Sequence, residues 1–349
     1  MNRELKIINP IMYPGWNKLV LEGKHYTFFH SSNWARVLNE SYGCNPIYFT
    51  LFDEDTLQAL VPAMEIKSIF TGRRGVSLPF TDYCDPMVEK QTQFQNIFDQ
   101  ITTYAKKNGW KFLELKGGED FLEDVPPSSQ YLRHYLDLSQ KEEYVFSSFR
   151  DSTRRNIKKA ISEGVEVKLC TSFESVKDFY RINCMTRKEH GLPPQPYHFF
   201  KKVYECIISK DLGFVALASY KNKTIAGSIY FHFGDKAVYK YGASDRRYQH
   251  LRANNLVMWK AIKWYCKAGF KNFCFGRTEL DNPGLRQFKN GWGCEESIIS
   301  YFKYDLIRDT FMTDTNNTNN MTAFYHRIFK KIPISVLKIV GSFFYKHIG

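Results

Sequence analysis

Apolar and polar positions follow a pattern that occurs twice along the chain. Runs rich in β-branched and aromatic residues flank a polar turn at residues 53–55, and a second pair of such runs flanks residues 221–223. Each arrangement predicts a β-hairpin. After each hairpin comes an amphipathic helix that ends at a glycine, Gly109 or Gly269, and then a short apolar strand. Glycine is expected there because the left-handed conformation just past a helix costs little without a Cβ atom.

The two copies of this pattern are evenly spaced. Both the turns and the glycines lie about 160–170 residues apart, as expected for a duplicated unit. A hairpin followed by a helix and a strand predicts a mixed sheet with helices packed on it. The fold class is therefore predicted as α/β with mixed sheets. The alternative is two unrelated α/β segments, since a helix, a glycine and a strand in succession are common in such proteins.

The length of 349 residues is sufficient for two domains. We predict an N-terminal domain over residues 1–145 and a C-terminal domain over 146–308 that carries the site. Residues 309–349 are predicted as a polar linker and a basic amphipathic tail. From residue 326 onward the tail has five lysines and arginines and no acidic residue. Such a segment suits the surface of an anionic membrane, or it packs back on the first domain.

Composition restricts the class of protein. With 43% hydrophobic residues the chain is globular, and its net charge of +13 favours a nucleic acid, an anionic membrane or a phosphorylated substrate as partner, or else reflects a basic surface only. Its eight cysteines form no Cys-x-x-Cys pair, so no metal site is expected. The N-terminus lacks the apolar core of a signal peptide. We expect a cytoplasmic protein, or one peripheral to the inner membrane face.

The first candidate site is a basic helix that begins near Ser152. Arg154 and Lys158 are four residues apart and share one helix face, with Arg155 beside them. Guanidinium groups near a helix N-terminus suit a pyrophosphate or a nucleic-acid backbone. The alternative is a solvated basic face.

The second candidate site lies around two strands in residues 237–292. Tyr241 and Ser244 lie at and just after the end of one predicted strand, and Arg277 and Asp281 follow the other. Ligands of open α/β sheets usually bind at the carboxyl ends of the strands. The apolar face of the intervening helix predicts core rather than a cofactor site.

These segments resemble the Fem family, enzymes that attach amino acids from aminoacyl-tRNA to peptidoglycan precursors. The resemblance covers roughly residues 25–308. It rests on Arg154-Arg155-x-x-Lys158-Lys159-Ala160, Tyr241-Gly242-Ala243-Ser244, Phe275-Gly276 and Phe288-Lys289-x-x-Trp292-Gly293. It implies two tandem GNAT-like (acyl-CoA N-acyltransferase) domains, in agreement with the repeat.

The resemblance also implies the site residues. Phe288 and Lys289 would be the catalytic segment, with Lys289 a mobile cation that stabilises the tetrahedral intermediate. Such a cation contributes on the order of 3 kcal/mol. The implied substrate-binding residues are Arg154, Arg155, Lys158, Tyr241, Ser244, Arg277, Asp281 and Trp292.

The expected function is acyl or aminoacyl transfer to an amine or hydroxyl of a cell-envelope precursor of the peptidoglycan type. The partners would be the phosphorylated precursor and, as one alternative, tRNA. No tightly bound cofactor is expected, and the donor is either aminoacyl-tRNA or acyl-CoA. Residues 247–253 lack the glycines with which acetyltransferases hold the pyrophosphate of coenzyme A. Two other functions stay open: an acyl-thioester-dependent N-acyltransferase of exopolysaccharide or lipid biosynthesis, and a non-catalytic nucleic-acid or membrane-binding protein.

Overall fold

The computed structural model describes residues 3–313 and 319–347. Its strands are, in chain order, β1 (Arg3–Ile8), β2 (Asn45–Asp53), β3 (Thr56–Ser68), β4 (Gly72–Val76), β5 (Phe112–Lys116), β6 (Ser129–Asp137), β7 (Glu166–Cys170), β8 (Gly213–Tyr220), β9 (Lys223–Phe233), β10 (Lys236–Ser244), β11 (Asn272–Glu279), β12 (Glu295–Asp305) and β13 (Thr310–Met312). Its α-helices are α1 (Trp16–Glu22), α2 (Ser32–Tyr42), α3 (Gln91–Lys107), α4 (Glu142–Ser148), α5 (Asp151–Ser162), α6 (Phe173–Glu189), α7 (Tyr197–Cys206), α8 (Ala253–Lys267), α9 (Pro283–Asn290), α10 (Asn319–Lys331) and α11 (Ile334–Phe344).

The chain divides into two compact units. The first consists of Met1–Tyr131, Ile298–Thr315 and Phe344–Gly349, and the second of Leu132–Ser297 and Asn316–Phe343. This division differs from the predicted boundary after residue 145. Leu136 and Leu138 already belong to the core of the second unit. Residues 298–308, predicted in the C-terminal domain, belong to the first unit because β12 pairs with β5 there.

The first unit contains a mixed sheet in the order β1-β2-β3-β4-β5, followed by the C-terminal half of β12. The predicted hairpin at residues 53–55 is confirmed by the antiparallel pairing of β2 with β3. β4 and β5 are parallel. Helix α3 packs its apolar face on this sheet through Phe94, Ile97 and Ile101, so each half of the chain has a core of its own.

The second unit has the strand order β7-β8-β9-β10-β11, and β6 borders β11. The predicted hairpin at residues 221–223 is confirmed by the pairing of β8 with β9. Helices cover both faces of this sheet. Neighbouring side chains of a strand point to opposite faces, so the contacts of two successive residues show which helix lies on each face. Tyr230 contacts Tyr265 of α8, whereas Phe231 contacts Tyr241, which packs on α7. The predicted mixed α/β fold is thus confirmed.

The tail forms α10 and α11. Helix α11 buries Leu337 and Gly341 in the second unit, and a Cβ atom on Gly341 would lie 2.1 Å from the carbonyl oxygen of Pro194. The predicted return to the first domain applies only to the end of the chain, where the carbonyl of His347 accepts a hydrogen bond from Arg74 at 2.9 Å. Within residues 3–313 and 319–347, no helix has the length and apolar character that crossing a membrane requires.

Candidate active site

Strands β10 and β11 separate in the middle of the second unit. They run parallel and pair only over Lys236–Val238 and Asn272–Cys274, although both continue for five or six more residues. The register of β10 against β9 shifts between Tyr239 and Tyr241. A bulge of this kind bends its strand. The two strands therefore leave an opening at their carboxyl ends, where ligands of open α/β sheets bind.

A pocket of about 140 Å³ lies at the carboxyl end of β10. We call it the β10 pocket. Its walls come from the ends of β9 and β10, the 3-10 helix Arg246–Leu251, the first turn of α8, and Phe288 of α9. Its polar lining includes Ser244, Asp245, Gln249, Arg252 and Asn254.

The N-terminus of α8 contributes main-chain donors to this pocket. Its N-cap, Arg252, makes no side-chain capping hydrogen bond, and the side chain of Asn254 in the first turn donates to Ser244 Oγ at 3.3 Å. The N–H of Asn255 donates to the Arg252 carbonyl at 3.0 Å, whereas the earlier N–H groups of a first turn have no partner within their helix, and the helix dipole favours negative charge beside them. Arg252 adopts a left-handed conformation, with φ of 57°. Residue 252 thus takes, without being glycine, a backbone conformation that favours glycine.

An ion pair fixes the turn between β10 and α8. The buried carboxylate of Asp245 accepts hydrogen bonds from Nε and Nη2 of Arg247 at 2.9 and 2.6 Å, and from the Arg247 main-chain N–H at 3.2 Å. The hydrogen bond from the Arg247 side chain is the main cause that lowers the pKa of Asp245. A carboxylate that is held in this way stays ionised and gives the pocket a rigid wall.

Lys289 is buried, unlike the mobile cation that the Fem resemblance implies. Its ammonium group donates hydrogen bonds to the carbonyl oxygens of Gly276 and Arg277, both at 2.9 Å. These carbonyls belong to the part of β11 that has left β10. The lysine therefore holds the strand at the opening.

A polar cluster that sequence reasoning missed surrounds Lys289. Glu296 accepts hydrogen bonds from Arg286 at 2.8 and 2.6 Å and from Asn290 at 3.2 Å, and its Oε2 lies 3.1 Å from Nε2 of His134. The hydrogen bond from Arg286 is the main cause that lowers the pKa of Glu296. Burial lowers the pKa of His134, and the charge of Lys289 lowers it further. The sequence gives no sign of this cluster, because residues 134 and 296 are distant in it.

The predicted basic helix does not line the β10 pocket. Arg154 forms an ion pair with Asp151 of its own helix and donates to the carbonyl of Ser147 at 3.0 Å. Arg155 and Lys158 are exposed. These residues form a basic surface on α5, separate from the residues of the pocket.

The other predicted residues divide into three groups. Ser244 and Phe288 line the β10 pocket together. Arg277 lies on β11 and pairs with Glu279 at 3.5 Å, and Asp281 is exposed in the following turn.

Two predicted substrate-binding aromatics pack against other aromatic side chains. Trp292 is fully buried and its ring centroid lies 5.0 Å from that of Phe149. Tyr241 packs edge-on against Phe200 of α7 at 5.6 Å. Burial in the core gives Trp292 a packing role, and its contact with the substrate stays a prediction.

Comparisons with known proteins agree with this geometry. Residues 147–290 match the acetyltransferase (GNAT) domain family. The chain is similar to the crystal structure of FemX, with 12% identity over 86% of this chain and 96% of that one and a TM-score of 0.69. It is similar to a tandem GNAT protein of the clavulanic acid biosynthesis pathway, with 8% identity, coverage of 87% and 99%, and a TM-score of 0.57.

A third similar structure is L-PGS from Bacillus licheniformis, with 13% identity, coverage of 86% and 96%, and a TM-score of 0.51. A search of curated protein sequences finds no match. At these identities the structural similarity establishes the fold, a tandem pair of GNAT domains. The matched segment contains the opening of the strands, the turn into α8 and Lys289. The chain is therefore an acyltransferase, with a GNAT acetyltransferase domain at residues 147–290.

Proposed function

We propose that the chain transfers an acyl group from acyl-CoA to an amine or hydroxyl of a cell-envelope precursor. The observations that carry the proposal are the separation of β10 from β11 beyond Val238 and Cys274, and the β10 pocket, which the first turn of α8 lines. An acyl-CoA contains a thioester, an extended arm with two amide groups, and a diphosphate that is linked to a 3′-phosphorylated adenosine.

The donor would be a substrate and not a tightly bound cofactor. The main-chain groups of β10 and β11 beyond their three paired residues offer hydrogen bonds to the amides of the arm. The diphosphate would lie at the first turn of α8, where main-chain N–H groups and the helix dipole favour an anion. Among the described residues the longest helices have 17 residues, too short for the coiled-coil arm associated with tRNA in Fem enzymes. This favours acyl-CoA over aminoacyl-tRNA.

The reaction would proceed by attack of the acceptor nitrogen or oxygen on the thioester carbonyl. A C–N or C–O bond forms, the C–S bond breaks, and the departing thiolate takes the proton that the acceptor loses. Lys289 would act by positioning, because its hydrogen bonds fix the Gly276 and Arg277 carbonyls beside the opening. The similarity to FemX and the Fem-like motifs support an envelope precursor as acceptor.

A negative charge introduced at the first turn of α8 tests the donor site. Asn254→Asp places a carboxylate where the diphosphate would bind, and it also favours the helix because acidic residues stabilise helix N-termini. We expect the Kd for acetyl-CoA, measured by isothermal titration calorimetry, to rise at least tenfold. The matched variant Asn254→Ala should change it less than threefold. Equal affinity for the Asp and Ala variants would place the diphosphate elsewhere.

The tail supports peripheral contact with an anionic membrane. Val336, Ile339 and Phe343 are 44, 70 and 46% exposed and lie on one face of α11. Residues 319–347 contain no acidic residue. An apolar face among basic residues suits an anionic interface, where each basic group adds about 1 kcal/mol.

Flotation with vesicles tests this contact. We expect the full chain to float with phosphatidylglycerol vesicles at low salt, and the variant Ile339→Ser/Phe343→Ser to remain in the soluble fraction. The control Ile161→Ser/Leu280→Ser changes two other exposed apolar residues of the second unit and should float. Flotation of the α11 variant with the full chain would exclude this face as the membrane contact.

A further inference from the structure

A second pocket of the second unit shares no residue with the β10 pocket. It has a volume of about 440 Å³ and lies where the end of α6, the start of the 3-10 helix Arg246–Leu251 and the tail come together. We call it the basic pocket. Its lining residues are Met185, Lys188, Glu189, Arg246, Lys330 and Ile334.

The charge of the basic pocket is not balanced. Lys188, Arg246 and Lys330 face one carboxylate, Glu189, which leaves a formal excess of two positive charges. Over residues 3–313 and 319–347, none of these four side chains takes part in an ion pair within 4.0 Å, whereas the adjacent Arg247 pairs with Asp245 at 2.6 Å. Like charges that line one cavity repel one another, and a bound anion relieves that repulsion.

A neighbouring histidine reports the same positive potential. Partial burial lowers the pKa of His190, and the positive charges of Arg187 and Lys330 are among the groups that lower it further. His190 directly follows Glu189 of the pocket. The carboxylate of Glu189 raises this pKa, but the net direction is down. Burial is the first cause of this direction, and the charges of Arg187 and Lys330 add to it.

The chemistry of the lining suits a phosphate ester. The guanidinium of Arg246 offers a planar pair of donors that matches two phosphate oxygens, and the two ammonium groups supply point charges. Met185 and Ile334 add apolar surface for the organic part of an ester. The volume, about three times that of the β10 pocket, leaves room for a diphosphate with part of its attached group.

One turn connects the two pockets. Arg246 lines the basic pocket and directly follows Ser244 and Asp245, which line the β10 pocket. Thr186 of α6 fixes this turn, because its hydroxyl donates to the Ser244 carbonyl and accepts from the Ser244 N–H, both at 3.0 Å. A ligand in the basic pocket is thus held beside the proposed donor site.

We propose that the basic pocket binds the phosphate or diphosphate ester of the acceptor, through Lys188, Arg246 and Lys330. The identification of the ligand as the acceptor depends on the proposed function. The acceptor would then be an activated or lipid-linked precursor, whose reacting amine or hydroxyl extends from the ester toward the opening of the strands. The reaction that supplies it would be one that forms a phosphate or diphosphate ester.

The experiment compares two double variants with the same change of charge. Arg246→Gln/Lys330→Gln removes two cations of the basic pocket, and Lys210→Gln/Lys260→Gln removes two exposed lysines elsewhere in the second unit. Binding of inorganic pyrophosphate is measured by isothermal titration calorimetry. Binding of phosphatidylglycerol vesicles is measured by flotation against phosphatidylcholine vesicles. We expect the pocket variant to bind pyrophosphate at least tenfold more weakly and the control less than twofold.

The two probes separate the sources of the phosphate. Weaker pyrophosphate binding with unchanged flotation assigns the pocket to a soluble ester, and weaker flotation as well assigns it to a lipid-linked one. An equal effect of both double variants, or no effect of either, overturns the proposal. The far-UV circular dichroism spectrum and the urea midpoint should be unchanged in both variants, which confirms that they are folded. If the unaltered chain does not bind acetyl-CoA, the proposed function fails, while the pyrophosphate result still decides the presence of an anion site.

Discussion

The two units have the same strand order, but they differ where their two parallel strands separate, β4 from β5 in the first unit and β10 from β11 in the second. In the first unit, β4 and β5 pair only at Gly75–Leu113 and Val76–Glu114. Ser77 then continues the contact, because its N–H donates to the Glu114 carbonyl and its Oγ accepts from the Lys116 N–H, both at 2.7 Å. In the second unit the ladder pairing of β10 with β11 ends at Val238 and Cys274.

The helices that follow β4 and β10, α3 in the first unit and α8 in the second, also differ at their N-termini. The main-chain N–H groups of Glu89 and Lys90, just before α3, donate to the side chain of Gln93 at 3.3 and 3.1 Å. Helix α8 has no side-chain cap, and its first turn lines the β10 pocket. At this position the first unit satisfies two main-chain N–H groups through a side chain, whereas in α8 the N–H of Asn255 donates to the Arg252 carbonyl and no side chain caps the helix. We infer that the first unit stabilises and the second binds.

The largest effect is expected from Trp110→Ala in the first unit. Trp110 is buried, donates to Glu65 Oε2 at 2.8 Å, and fits so closely that a Cβ atom on Gly75 would lie 1.9 Å from its ring. Removal of a buried tryptophan lowers the free energy of unfolding by about 3–5 kcal/mol. Urea denaturation measures this loss. The Kd for acetyl-CoA, measured well below the transition, should stay within twofold, and a clear loss of affinity in the folded variant would contradict the division of roles.

The next effect concerns Lys289 in the second unit. Lys289→Met removes two hydrogen bonds of a buried ammonium group, and we expect the free energy of unfolding to fall by about 2–4 kcal/mol. Transfer should fall at least tenfold because the Gly276 and Arg277 carbonyls are no longer fixed. Lys289→Arg, which keeps the charge, serves as the control. Turnover within threefold of the unaltered chain contradicts the positioning role, and lost turnover at full stability would favour the oxyanion role that the Fem resemblance implies.

The sequence predicted what depends on local signals. The hairpins at 53–55 and 221–223 and the helix ends at Gly109 and Gly269 follow from turn residues and caps, and the structure has all four. The environment of a residue depends on distant contacts and could not be predicted in this way. A motif identified Lys289, but not that its ammonium group is buried against two carbonyl groups of β11. In the same way, the motif did not show that Trp292 packs against Phe149 in the core.

The conformation of the turn into α8 also lies beyond simple motif reading. The lack of glycine in residues 247–253 predicts a loop that closes less easily on a pyrophosphate. The ion pair of Asp245 with Arg247 and the left-handed Arg252 produce the turn by other means. A sequence motif describes one set of residues that gives a backbone conformation, whereas other residues can give the same conformation.

Acid should reduce stability through histidines whose pKa lies below the ordinary value of 6.5. Burial is the main cause for His134, and the pKa values of His190, His232 and His347 are lowered as well. The folded chain therefore binds fewer protons than the unfolded chain below about pH 6.5. The stability is complete above that pH and falls below it, by at most about 1.4 kcal/mol per pH unit for each histidine.

His134→Gln isolates the contribution of the polar cluster. Its amide can reach Glu296 as the imidazole does, without a group that titrates in this range. Urea denaturation at pH 7.5 and 5.5 should show a smaller loss of stability for this variant than for the unaltered chain. Glu296 has a lowered pKa, so its own contribution is lost only at more acidic pH. An equal loss in both proteins would show that His134 is not part of the acid response.

The smallest effect, and the sharpest distinction between the two units, concerns Arg252. Its left-handed backbone, with φ of 57°, costs a residue with a Cβ atom about 1 kcal/mol, and glycine avoids this strain but loses more entropy on folding. We expect Arg252→Gly to raise the free energy of unfolding by about 0.5 kcal/mol or less. The equivalent helix of the first unit, α3, begins after Lys90, which has an extended conformation with φ of −130°. There Lys90→Gly removes no strain and should lower stability slightly.

If the α8 turn holds a diphosphate through its main chain, Arg252→Gly keeps the affinity for acetyl-CoA within threefold, whereas Asn254→Asp loses it. A tenfold loss in Arg252→Gly would instead assign the diphosphate to the guanidinium group, and the opening of the second unit would then depend on a side chain as the closure of the first does on Ser77.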